Sequence, residues 1–122
     1  ICDPIPVRKA LADGNQKLLI ILTRPSDYRK TLSWSNKLAA KVLKRRYPNL
    51  VYPLLHRHET YNETVRFCEQ LESEGRAVIL RPEGDAIIDS FESDVDNIKR
   101  SYARGYEQCA ARIADIRALF DE

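Results

Sequence analysis

Two continuous apolar runs, Leu18-Leu19-Ile20-Ile21-Leu22 and Ala77-Val78-Ile79-Leu80, constrain the fold of this chain more than any other feature. Both have strand length, and neither alternates apolar with polar residues. Unbroken hydrophobicity suits a strand buried on both faces, as in a parallel sheet covered by helices. Each run closes on an Arg-Pro pair, Thr23-Arg24-Pro25 after the first and Arg81-Pro82 after the second. The echo between Leu-Ile-Ile-Leu-Thr-Arg-Pro and Ala-Val-Ile-Leu-Arg-Pro reads as shared strand-end chemistry rather than as a repeat. Helical segments separate the runs, so the strands are expected to be parallel and joined by a right-handed crossover.

The helical segments follow from periodicity and punctuation. Ile5 to Ala12 reads as a short helix with Pro6 near its first turn, where a missing N–H costs nothing. Asp13-Gly14-Asn15 ends it, with Gly14 suited to a left-handed position. Ser33 to Tyr47 is expected to be helical, capped by Ser33 or Ser35 and ended by Pro48. A shorter piece is expected over Leu50 to His56, and a third helix over Glu59 to Glu74, stopped by Gly75. Glu83 to Ser93 is a loop with an apolar patch, Ala86-Ile87-Ile88. Asp94 opens a long helix to Phe120, with Val95, Ile98, Tyr102, Tyr106, Cys109, Ile113, Ile116 and Leu119 as its core stripe. The fold class is α/β, with helices around a small parallel sheet. Residues 1–82 form the end of the sheet region, and residues 83–122 form the loop and long terminal helix.

Two strands alone leave bare sheet edges. The opening segment, Ile1-Cys2-Asp3-Pro4-Ile5-Pro6, reads as the middle of a domain, and the 122 residues contain no Met. The expectation is that an N-terminal part of a parent protein completes the sheet. A charged, proline-interrupted start does not match a signal peptide. Hydrophobic content of 43% fits a packed core, and no apolar run approaches the roughly 20 residues of a membrane span. The net charge of +2 is too small to argue for a nucleic-acid partner. Cys2, Cys68 and Cys109 are odd in number and far apart, and the latter two fall on apolar helical faces. They read as reduced core thiols, which points to the cytoplasm. Without a Cys-x-x-Cys pair they give no zinc signal, and no cofactor is implied.

Catalytic signatures are missing from these residues. The four glycines, Gly14, Gly75, Gly84 and Gly105, build neither Gly-x-Ser-x-Gly nor a phosphate loop. Asp13-Gly14 resembles an Asp-Gly catalytic motif, but its place at a helix end makes it a cap. His56 and His58 point to different sides of a helix and do not share a metal easily. His58 and Asn62 are four apart and can meet, so Arg57, His58, Tyr61 and Asn62 read as a structural polar network.

Two basic groupings are candidates for binding. Arg24 and Arg81 each follow the carboxyl end of an expected parallel strand, where open α/β sheets bind ligands. Side by side they would form an anion site; the competing reading is ordinary ion pairs with Asp27, Glu83 or Asp85. Lys37, Lys41, Lys44 and Arg45 share one helical face, with Leu38, Ala39, Val42 and Leu43 roughly opposite and Trp34 at the start. Such a helix can lie on an anionic membrane surface, or can present a solvated basic face, and Arg46 interrupts its apolar arc.

Asp3-Pro4-Ile5-Pro6-Val7-Arg8-Lys9-Ala10, Lys17 to Arg24 with Pro25, Arg57-His58-Glu59-Thr60-Tyr61-Asn62-Glu63-Thr64, and Arg81-Pro82 follow one another in an order and spacing that resembles the C-terminal part of bacterial patatin-like phospholipases. The resemblance runs along nearly the whole chain, and Arg-His-x-x-Tyr-Asn-x-Thr is its most specific piece. It implies a larger three-layer fold and hydrolysis of lipid acyl esters by a Ser-Asp dyad. The dyad, the Gly-x-Ser-x-Gly motif, the Asp-Gly-Gly motif and the oxyanion loop would all precede Ile1. No residue here matches a catalytic position, and Asp3 reads as a turn residue. The chain alone is then expected to be inert. The alternative is a standalone module that binds an anion or lipid headgroup through Arg24 and Arg81 or through the helix at 37–45. A homodimer through exposed sheet edges is a third possibility.

Overall fold

A computed structural model describes residues 3–83 and 92–121. The apolar patch Ala86-Ile87-Ile88, Asp85 and Cys2 lie outside the described residues. The fold is mixed α/β: α1 (Val7–Ala12), β1 (Leu18–Ile21), α2 (Trp34–Leu43), α3 (Pro48–Ser73), β2 (Ala77–Leu80), α4 (Val95–Ala111) and α5 (Ile113–Phe120). The chain forms two compact units that interleave in sequence. One takes Ile1–Gly14 and Arg29–Phe67; the other takes Asn15–Tyr28 and Cys68–Glu122.

In the first unit, Val7, Ala40, Leu54, Thr64 and Val65 are buried. The Thr64 hydroxyl donates to the Thr60 carbonyl at 2.8 Å, which satisfies a buried polar group within its own helix. Arg8 ties α1 to α3, donating to Glu63 at 3.2 Å and standing 4.4 Å over the Phe67 ring. Ser33 caps α2 by accepting from the Ser35 N–H. The helix stops at Leu43, short of the expected Tyr47, because residues 44–46 turn.

Pro48 starts a helix instead of ending one. At the first helical position its missing N–H was unsatisfied in any case. The two expected helices over Leu50–His56 and Glu59–Glu74 are a single one of 26 residues, α3. Arg57 and His58 carry no helix-breaking chemistry, so the ladder runs through them. Pro53 lies inside and removes one hydrogen bond from the ladder. The C-terminus closes as a Schellman motif: Arg76 N–H donates to Leu71 C=O, Gly75 N–H donates to Glu72 C=O, and Gly75 has φ +70°.

The second unit holds the sheet. β1 and β2 are parallel, in the register Leu18↔Ala77, Leu19↔Val78, Ile20↔Ile79 and Ile21↔Leu80. Its core is Ile20, Leu22, Cys68, Leu71, Ala77, Val78, Ile79 and Leu119, with Cys68 fully enclosed. One expectation fails here: β1 is not buried on both faces. Leu18, Ile20 and Leu22 point inward, whereas Leu19 is 39% and Ile21 71% exposed on the other face. Asp94 caps α4 by accepting from Asp96 and Asn97 N–H. The long helix breaks at Arg112, which has φ −103° and ψ 12°. The expected core stripe is also overturned. No residue of α4 is buried, Val95, Ile98, Tyr102, Tyr106 and Ile113 are exposed, and Leu119 alone of the stripe is buried.

Candidate functional site

The carboxyl ends of the two strands carry the first candidate site. A cleft of about 330 Å³ is lined there by Ile21, Thr23, Arg81, Ser101, Gly105 and Cys109, among others. A second, of about 370 Å³, has Ser26, Glu72, Arg81, Gln108 and Arg112 in its walls. Arg81 belongs to both, but its guanidinium donates to Glu69 at 3.1 Å and is only 12% exposed. Its partner is none of the acids expected from the sequence. Arg24 lines neither cleft, and its guanidinium stands 5.3 Å over the Tyr28 ring. The two arginines therefore do not form a shared anion pocket in either cleft. Among the described residues, no three His, Cys, Asp or Glu side chains are grouped to hold a metal.

The outer edge of β2 carries an arrangement that the sequence reading missed. Glu72, near the end of α3, accepts the Ile79 N–H at 2.9 Å. Arg112, at the break between α4 and α5, donates to the Ile79 C=O at 2.9 Å and to Glu72 at 3.3 Å. Its Nε donates to Asp115 at 3.1 Å. The hydrogen bond to Asp115 raises the Arg112 pKa above its ordinary value, and Glu72 adds to this against partial desolvation. Ile79 thus finds, in two side chains, the donor and acceptor that a neighbouring strand would supply. No sequence periodicity signals this, because the three residues are far apart in the chain.

On α3, His56 and Glu59 pair at 2.7 Å, and Tyr52 stacks on His56 with centroids 4.2 Å apart. The His56 hydrogen bond lowers the Glu59 pKa. Asn62 does not meet His58. Instead it braces the Lys30 backbone, donating to its C=O at 2.9 Å and accepting its N–H at 2.8 Å. Lys30 also stands 5.4 Å over the Tyr61 ring. Arg57 Nε and His58 Nδ1 are buried with no hydrogen-bond partner.

The second candidate site is the surface of α2. Trp34 is 74% exposed, Val42 70% and Leu38 45%. At 100° per residue they form one stripe, bordered by the exposed Lys37 and Lys41. Ala40, on the opposite side, is the helix's buried residue. The sequence reading set Leu38 and Val42 against the basic face; in the structure they lie exposed beside it. Lys44 is the C-cap residue and Arg45 belongs to the turn that follows, so both extend the basic border beyond the helix.

Residues 47–121 match the family model described as a domain of unknown function, DUF6363. The chain belongs to the DUF6363 family. No curated protein and no solved structure matches it. The DUF6363 match contains α3, β2, α4 and α5 and leaves out α1, β1 and α2. β2 therefore belongs to the DUF6363 region, while the strand it pairs with lies outside that region. No helix among the described residues is long and apolar enough to cross a membrane.

Proposed function

We propose that this chain is the non-catalytic C-terminal segment of a patatin-like serine acyl hydrolase, completing its sheet and presenting it to anionic lipid. The observation that carries the reading is the α2 surface, where Trp34, Leu38 and Val42 are exposed beside Lys37 and Lys41. An exposed apolar stripe edged by lysines suits the boundary between headgroups and acyl chains, where indole rings settle. Each lysine near an anionic surface contributes about 1 kcal/mol, screened by salt. The resemblance to patatin-like phospholipases supplies the chemistry. In the parent, the Asp of the dyad acts as base on the Ser, and backbone N–H groups hold the oxyanion. Both catalytic residues lie upstream in this reading. The buried Cys68 and half-buried Cys109 thiols, neither in a disulfide, support a cytoplasmic location.

The alternative, a standalone headgroup-binding module, draws on the same helix. With Arg81 engaged by Glu69, α2 is a better candidate for it than the arginine pair.

Vesicle sedimentation with phosphatidylcholine alone and with added phosphatidylglycerol tests the lipid surface. Salt-sensitive binding to the anionic vesicles is expected, and K37E with K41E should weaken it by roughly 30-fold or more. Equal binding to neutral vesicles, or none to either, overturns it. A parallel assay on a chromogenic short-chain ester separates the two readings. The hydrolase reading expects no turnover by this chain and restoration with an upstream segment carrying Gly-x-Ser-x-Gly. Without restoration, the binding module stands in its place.

A further inference from the structure

Past their last paired residues, Ile21 and Leu80, the two strands open onto the cleft of about 330 Å³. Ligands of open parallel sheets settle at this end of the strands. The helix α4 contributes one face to it, with Ser101, Gly105 and Gln108 following at intervals of four and three. Leu22, Leu80, Pro82 and Cys109 make the lining largely apolar, and Ile21 joins it while 71% exposed. Among the described residues that line the cleft, Arg81 is the one that carries a charge, and its guanidinium already meets Glu69 at 3.1 Å. The space is apolar, and the charge at its wall is matched within the protein.

Gly105 is the residue for which the fold itself gives no reason. It lies well inside α4, and glycine is the weakest helix former after proline. Its φ is not positive, so no left-handed turn calls for it. A methyl group on its Cα would meet nothing within 4 Å, so no neighbouring atom calls for it either. What a side chain at 105 would do is narrow the cleft. Gln108, half-buried, lines the same cleft, and among the described residues its amide makes no side-chain hydrogen bond. An amide both donates and accepts, so it can meet a hydroxyl group in both directions.

We infer that this cleft binds an aliphatic alcohol: a single alkyl chain that lies along Leu22, Leu80 and the Gly105 backbone, with its hydroxyl group at Gln108. The volume is about twice the roughly 150 Å³ of a cavity that holds benzene, which sets the enclosed part of the ligand at about a dozen heavy atoms. Covering the exposed Ile21 side chain and the apolar walls drives the chain in. A charged head fits less well. A carboxylate would give up its water without a free counter-charge, because Arg81 and Glu69 neutralise each other. The site shares no residue with the lipid surface on α2, and the inference stands whether or not the parent is a hydrolase.

Titration of the intact, methyl-labelled chain with octanol and with octanoate at neutral pH, followed by NMR, tests it. Octanol should give saturable shifts at the Leu22 and Leu80 methyl groups and at the Gln108 side-chain amide. Octanoate should bind at least tenfold more weakly. At ten times Kd, octanol should also slow alkylation of Cys109 about tenfold. Gly105→Ala separates a ligand role from a structural one. It should raise the Tm by about 3 °C, because alanine is the better helix former, and yet weaken octanol binding at least fivefold. Gly105→Leu should abolish binding, and Gln108→Leu should weaken it about fivefold through the lost hydrogen bond. Octanoate binding as tightly as octanol, saturable shifts at Trp34, Leu38 and Val42 instead of the cleft, or a Gly105→Ala variant that binds as the parent does overturns the inference. The absence of any saturable shift at Leu22 and Leu80 overturns it as well.

Discussion

Replacing Arg112 with alanine removes the guanidinium from the Ile79 carbonyl and from Glu72. A charge-assisted hydrogen bond is worth about 1.5–3 kcal/mol when well buried. The Arg112 side chain is 39% exposed and that of Glu72 32%, so solvent screening brings the expected loss to about 1–2 kcal/mol. Glu72→Ala should cost a similar amount, about 1–2 kcal/mol, because the Ile79 N–H loses its acceptor. The two side chains touch, so the double variant should fall short of the sum by about 0.5–1 kcal/mol. Urea unfolding reads this directly, with a midpoint lowered by roughly 0.5–1 M in each single variant. Glu72→Gln retains an acceptor oxygen and should recover most of the loss. Arg112→Lys offers a point charge without the fork and should recover little. The reasoning is refuted if Arg112→Ala stays within about 0.5 kcal/mol of the parent, the range of an ordinary surface substitution. Strict additivity in the double variant refutes it too.

Two further outcomes follow from local geometry. Gly75 sits at φ +70°, and a methyl group on its Cα would meet nothing within 4 Å. Gly75→Ala therefore encounters backbone strain rather than crowding and should cost about 1 kcal/mol or more, read as a lower unfolding midpoint. Glu92 accepts from the Asp94 and Ser93 N–H groups and from Asn97 before α4. The Asp94 bond, first among these, lowers its pKa. A depressed carboxyl stabilises fully above its unfolded pKa, and that contribution is lost as pH falls through the lower folded value. The Glu92 carboxyl should therefore titrate by NMR below an ordinary Glu, with exchange at the start of α4 rising through that midpoint; a normal midpoint contradicts the arrangement.

The parallel strand pair was legible because both apolar runs have strand length and helical segments separate them, although burial on both faces holds for β2 and not for β1. The cap at Asp94 and the stop at Gly75 were legible, and the cap of α2 was narrowed to Ser33 or Ser35, since each depends on residues within five positions. The mistakes share a different cause. Pro48 carries the same chemistry at the end of one helix and the start of the next, and only the turn at 44–46 decides between them. The α4 stripe has perfect helical spacing, but spacing reports amphipathicity and not what covers the apolar side. The Glu72–Ile79–Arg112 arrangement joins residues up to 40 positions apart, so no local pattern encodes it. On α2, Trp34 and the lysines were visible as a group. That Leu38 and Val42 lie beside them, exposed, depends on which side Ala40 buries.

The full enclosure of Cys68 has a chemical consequence. A thiol reagent can reach its sulfur only through an opening of the second unit, whereas Cys109 stands in a cleft wall within reach of the folded state. The Cys68 labelling rate, set against that of the same thiol in the unfolded chain, then gives the free energy of that opening. The same contrast sets an order of damage between these two: under peroxide Cys109 oxidises before Cys68, whose thiol keeps its reduced form for as long as the core around Leu71 stays closed.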